Sequence, residues 1–591
     1  MKKLLSVFAL FAVATLGGQS IKAQSPVFSY THQGTTLYYL IRNSGEAVLV
    51  PPLYPNFDTV NDEMWTGYTK PQGAVVIPDS VPYGGSNHAV TRVGYCAFFR
   101  CYDVTHVTMP STLHAIDKHG FLYCTSLTSA VVPEGVDTIG FGAFDKCTSM
   151  QTITLPSTLK SIGYAAFYKD SSLTSIVLPE GVVSLGEFAL SECTSLQSVQ
   201  FPSTLRTISG ACCQNDISLQ TVIIPEGVDT IGQWAFYGCT SLPSVVLPEG
   251  VKAINQYAFC YCPNLQSVDM PDTMGYIGEG CFYDDSLLTD ITIPFGLTRI
   301  ELHTFRKCQS LTSITIPSSV TYIDKHAFRE CSSLTSIEIP EGVTDVSSNA
   351  FYKCKSLQSV SFPSTLTSIG YGCFAQDSLI TSVVLPQSLT TLAPYAFSSC
   401  RQLATVAMPD NLDSMGRFCF NNCYALTSIV VPEGITKVDT STFADNYALR
   451  SVHLPSTLQT IRYHAFFNTV DIDTITLACT TPPTVDSFAI FDHSATLVVP
   501  CGTANDYHQH AVWGQFSNII EGNCDGIEKP GNADATVCIS VRDGHIIVDG
   551  ADGEVVRVYD MMGRTVANQA LPTGVYMVQI GNQPARKVLV K

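Results

Sequence analysis

From Leu173 to Ser195 the chain reads LTSIVLPEGVVSLGEFALSECTS, and from Leu311 it reads LTSITIPSSVTYIDKHAFRECSS. Both fit one frame, L-x-x-I-x-(L/I)-P-x-x-V-x-x-I-G-x-x-A-F-x-x-C-x-x. Ile176 and Leu178 alternate with Ser175 and Val177, the period-two pattern of a half-buried strand. The proline ends that strand because it has no N–H to give to a ladder. Val182 and Leu185 begin the return path. A tight turn or 3₁₀ piece around the small-Phe pairs, such as Ala143-Phe144 and Ala327-Phe328, then hands the chain to the next strand.

The frame recurs without a slip. Sixteen prolines stand 23 residues apart from Pro110 to Pro455. A unit this short cannot bury its own apolar face, so copies must stack into a solenoid. The fold class expected is a right-handed coil with a parallel β-sheet, about 17 coils at a spacing of about 4.8 Å and so roughly 80 Å long. Catalytic groups sit mostly on variable loops, and coils without insertions leave no room for them. The repeat therefore predicts a binding surface and no enzyme.

Three columns predict the core. Phe98, Phe121, Phe144 and Phe167, then Phe236 through Phe466, form a spine interrupted by Leu190 and Cys213. Before it runs a small column of Ala and Gly, with Cys212, Cys281, Cys373 and Cys419 as small hydrophobes and Thr304 and Thr442 as larger members. Eleven of the 22 cysteines share a third position, where four other repeats carry Asp170, Asp216, Asp285 and Asp377 and one carries Asn446. An aspartate cannot replace half a disulfide, but it can accept backbone N–H bonds at a turn. This column reads as a reduced capping ladder, and no C-x-x-C pair supports zinc.

Two columns point outward from the strand. One is nearly all Ser or Thr, from Ser129 and Thr152 to Thr474, broken by His106 and Asp290. Cross-strand pairing and solubility account for it, and a glycan ladder is the other reading. The next is variable, and its members Val177, Gln200, Ile223, Val246 and Asp269 form the candidate partner-binding set.

The frame resembles the BspA-like class of bacterial leucine-rich repeats, the leucine-rich repeat 5 family. The carrying features are L-x-x-I-x-L-P and A-F-x-x-C in 23-residue register over about two thirds of the chain. The resemblance implies a right-handed solenoid. It also implies association with host matrix proteins and other bacteria.

Both ends depart from the period. Lys2-Lys3, the apolar run Leu4 to Leu16 and Ala23 read as a signal peptide over residues 1–23, cleaved between Ala23 and Gln24. Residues 24–92 are expected to form an N-terminal cap and irregular first coil, with a hairpin at PYGGSN, ahead of the solenoid proper at 93–470. A C-terminal cap follows at 471–522, where Cys501 and Cys524 are the candidate disulfide and Cys479 is a competing partner. After a linker at 523–534, residues 535–591 offer a hairpin at Asp543-Gly544 and further strands, a small β-sandwich. VRVYDMMGRTV, LPTGVYMVQIG and the terminal Arg586 to Lys591 resemble the type A sorting domain of the type IX secretion system. That resemblance implies export through the periplasm to the outer-membrane surface.

Charge and motifs narrow the rest. Asp and Glu outnumber Lys and Arg by 50 to 32, a net −18, which disfavours nucleic acid and anionic lipid. No stretch is apolar and long enough to span a membrane. H-E-x-x-H, G-x-S-x-G, P-loop and Rossmann patterns are absent, and no cofactor or metal is expected. His303 and His326 share a column and are expected to face solvent. The leading expectation is a secreted monomeric adhesin or scaffold whose partners are host matrix proteins, other cell-surface proteins or glycans. A purely structural surface-layer protein and a hydrolase with its site in the caps are the alternatives.

Overall fold

The computed structural model describes residues 26–54, 62–486 and 493–522, and strand segments within 538–590. The chain divides into two compact units, 1–522 and 523–591.

The first unit is a stack of about 18 turns of roughly 23 residues with almost no helix. A typical coil places two strands on different faces. One is the strand before the proline, as at Ser175–Val177, which pairs in parallel with Ser198–Gln200, and that with Thr221–Ile223. The return path supplies the other, as at Thr138–Ile139, Ser161–Ile162 and Ser184–Leu185, again parallel and in register. The sequence pattern showed only the first. Two residues of alternation are too few to register as a strand, although the ladder itself makes them one.

Between the strands the chain turns through residues with positive φ and not through a 3₁₀ piece. Ala165 (φ 52) and Lys169 (φ 62) are typical. Left-handed backbone is costly for a side-chain-bearing residue. It is offset here because the turn aims each amide at the next coil: Ala165 N–H reaches Glu187 O at 2.8 Å and Lys169 N–H reaches Ser191 O at 2.9 Å.

The core follows the three columns. Every phenylalanine from Phe98 to Phe466 in the spine is fully buried. Neighbouring rings stack nearly parallel, as with Phe305 and Phe328 at 5.3 Å and Phe328 and Phe351 at 5.2 Å. Leu190 and Cys213 are buried in the same place and divide the spine in two. The third column is the capping ladder. Cys147 Sγ donates to Phe121 O at 3.3 Å and Cys331 Sγ to Phe305 O at 3.1 Å. Asp216 and Asp285 accept the amides of Cys193 and Cys262, each at 2.8 Å. These thiols are free and buried.

The caps continue the ladders. Ser80–Tyr83 and Ser86–Val93 form an antiparallel hairpin over Gly84 and Gly85 (φ 58 and 86), where only glycine turns so freely. Phe28–His32, Thr35–Ile41 and Ala47–Val50 form a meander whose last strand pairs in parallel with Ser86–Val93. At the other end Thr474, Thr496 and Asn518 pair in parallel, so the segment read as a cap adds further coils at a slightly shorter period. Tyr507 and Trp513 close it, through Tyr507 OH to Cys479 O at 2.7 Å and Trp513 Nε1–H to Pro483 O at 2.9 Å.

The second unit holds an antiparallel pair, Cys538–Arg542 with His545–Asp549. It also holds an antiparallel sheet in which Val556–Tyr559 pairs with Thr565–Val566 and Gly574–Ile580, and Gly574–Ile580 with Arg586–Val590.

Candidate partner-binding face

The strand before each proline buries one residue in two, so its alternate positions face water. Ile176, Val199, Val245 and Val268 point into the core, and Val177, Gln200, Ile223, Val246 and Asp269 are exposed. Val177 aligns with Gln200 and Gln200 with Ile223, and Val246 aligns with Asp269. The hydrogen-bonded ladder is interrupted between Ile223 and Val246, so the five residues span two three-stranded sheets. Val131, Val384 and Val430 extend the exposed aliphatic column along the face, with Val131 and Val246 each 64% exposed. The Ser/Thr column beside it is exposed or half-buried throughout, from Ser129 to Thr474. Leu311 to Pro317 form no strand, which leaves a gap in this face.

His303 and His326 do not face solvent freely. They are half-buried, and their rings stack at 4.9 Å and 14°. Burial, and then nearby positive charge, lowers both pKa values to about 4. Both stand at left-handed positions (φ 61 and 60), and this backbone turns the ring onto the neighbouring coil.

Cys501 is disulfide-bonded. Cys524 lies outside the described residues, as do Ala23 and Gln24. Cys479 is a free, buried thiol that donates to Pro455 O at 3.0 Å, so it does not compete for Cys501. Among the described residues, no three His, Cys, Asp or Glu side chains are grouped to hold a metal ion. No helix among them is long and apolar enough to cross a membrane.

Sequence reasoning missed an aromatic row on the turn side. Phe141 and Tyr164 stack at 5.0 Å and Tyr395 and Phe418 at 4.7 Å, and Phe141 and Tyr164 are 40% and 39% exposed. The 23-residue offset between Phe141 and Tyr164 was a visible signal.

A stack of parallel two-strand coils with a continuous apolar spine and a polar outer face defines a leucine-rich-repeat solenoid. The model of the BspA type leucine rich repeat region matches residues 86–177, 160–289, 206–332, 275–384 and 367–494, and the chain belongs to this family. A leucine-rich repeat protein from Bacteroides ovatus is similar in structure, with 24% identity and a TM-score of 0.52, covering 73% of this chain and 94% of its own. A leucine rich cell surface protein from Faecalibacterium prausnitzii shares 21% identity with a TM-score of 0.29, over 76% and 94% of the two chains. The pneumococcal vaccine antigen PcpA shares 15% identity with a TM-score of 0.30, over 84% and 98%. No curated protein matches the chain.

Proposed function

We propose that this is a secreted, surface-displayed adhesin or interaction scaffold without catalytic activity, which grips its partner with the strand face of the solenoid. One observation carries the reading: Val131, Val177, Ile223 and Val246 stand exposed on a face whose neighbouring column is nearly all Ser and Thr. Side chains of that size left in water on a rigid sheet are the contacts a partner would bury. The partner classes are host matrix proteins, other cell-surface proteins and glycans. BspA-type repeat proteins are typically found at the cell surface or secreted, which supports the setting. The sorting-domain resemblance of 535–591 and the leader-like 1–23 extend it to a route through the periplasm to the outer-membrane surface.

The test has two arms. Ile223→Lys with Val246→Lys should abolish binding to immobilised matrix proteins and to whole bacteria while the thermal melt stays unchanged. Undiminished binding by that variant overturns the face. Deleting 535–591 should leave a protease-protected solenoid inside the cell, and full surface display of the truncated chain overturns the route.

A further inference from the structure

The column one residue past the spine reads Tyr283, Arg306, Arg329 and Tyr352 in four successive coils. Backbone bonds fix the register: Asp284 N–H reaches Arg306 O at 2.9 Å, Lys307 N–H reaches Arg329 O at 2.8 Å and Glu330 N–H reaches Tyr352 O at 2.8 Å. Arg306 lies over the Tyr283 ring at 5.0 Å and Arg329 over Tyr352 at 4.7 Å. Lys307 and Lys353 approach the same two rings at 5.5 and 5.2 Å. Four cations thus gather in four coils of a chain whose net charge is −18.

Two carboxylates answer them. Asp284 pairs with Lys307 at 2.9 Å and Glu330 with Arg329 at 3.2 Å. Arg306 makes no ion pair among the described residues, and its buried Nε has no acceptor. Two in-register guanidinium groups repel one another. The tyrosines offset part of that cost through their ring faces. They supply no oxygen acceptor for Arg306 Nε–H, which is left without a partner. Beside the row, His303 and His326 each hold a buried Nδ1 without a partner; after burial, Arg306 and Arg329 lower the pKa of His303, and His303 and then Arg329 and Arg306 lower that of His326.

We propose that Arg306 and Arg329, framed by Tyr283 and Tyr352, form a binding site for the oxyanions of an acidic polysaccharide, one charged sugar per coil. The guanidinium fork matches a planar or tetrahedral oxyanion better than an ammonium does. Spacing favours a sugar chain over a peptide. Stacked groups on this ridge repeat at 4.9 Å, as His303 and His326 show, close to the advance of an extended pyranose chain per sugar. An extended peptide puts same-face side chains about 6.6 Å apart. Carboxylate from a uronic acid and sulfate from a sulfate ester share this chemistry. The site stands on a different face from the aliphatic column, so it holds or fails independently of that reading.

The test is calorimetric titration of the full chain at physiological ionic strength with four probes: oligogalacturonate, dextran sulfate, neutral dextran and poly-glutamate. Binding of oligogalacturonate, dextran sulfate or both, and none of neutral dextran, is expected, and which of the two binds identifies the source of the anion. Arg306→Gln with Arg329→Gln should weaken that binding about tenfold or more. Should the double variant melt early, Arg306→Gln alone makes the same comparison, because that guanidinium has no ion pair to lose. Equal affinity in wild type and variant overturns the site, as does absence of binding to both acidic glycans. Poly-glutamate binding more tightly than either overturns the polysaccharide.

Discussion

The amide of Cys147 donates to Oδ1 of Asp170, one coil further on, at 2.8 Å. Oδ2 of the same carboxyl is buried without a partner, and the pattern repeats at Asp216 and Asp285. Asn446 shows what is missing. Its Oδ1 accepts from Cys423 N–H at 2.7 Å, while its Nδ2 donates to Phe420 O at 3.0 Å. Cysteines of the column also donate to that carbonyl of the preceding coil. The position therefore demands a donor, and an aspartate meets the demand only as a neutral carboxylic acid.

A pH dependence follows. Asp170, Asp216, Asp285 and Asp377 are held well above the ordinary carboxyl value of 3.8, chiefly by burial. The folded chain keeps protons that the unfolded chain has released, so stability falls as pH rises from the unfolded value toward the folded one. His119, His303 and His326 act in the opposite sense. Held down from 6.5 to about 4, they cost stability as pH drops through that interval. Replacing the four aspartates by asparagine should raise the melting temperature increasingly as pH rises above the unfolded carboxyl value of 3.8, flattening the fall that begins there. Thermal melts over a pH series check this, and an unchanged fall with rising pH contradicts it.

The spine predicts a local defect. Phe328→Ala removes a ring stacked between Phe305 and Phe351 and should cost about 3–5 kcal/mol. Because each coil touches only its neighbours, the loss should appear as faster amide exchange in the flanking coils while distant coils keep their protection. Uniform loosening of the whole solenoid would contradict this.

Column reading recovered the coil, the proline at each strand end, the Phe spine and the Asp-for-Cys exchange, because each repeats often enough to average out its exceptions. The return-path strand was not legible. Its two residues acquire strand character only by pairing with coils 23 residues away. The positive-φ turns were hidden for a related reason: residues as unlike as Ala165, Lys169 and His303 occupy them, and inter-coil bonds rather than glycine hold the conformation. On the candidate face, exposure of Val177, Ile223 and Val246 was legible from alternation, whereas the break in the ladder beside Ile223 was not.

Cysteine chemistry should divide sharply. Burial pushes Cys308 and Cys354 well above the usual thiol range and Cys331 in the same direction. Native alkylation should leave all three unmodified, and denaturing alkylation should label each as a free thiol. Peptide mapping without reductant should link Cys501 to Cys524. A disulfide joining any two of Cys308, Cys331 and Cys354 would contradict the ladder.

The inter-coil bonds have a mechanical meaning for the solenoid under load. They run from one coil to the next, so a pull on the two ends of the solenoid passes through every ladder in series. The terminal coils, held by one neighbour each, let go before the interior ones. Each coil that lets go would release 23 residues, on the order of 75 Å of slack. A solenoid built this way would lengthen in steps of one coil and not in a single rupture.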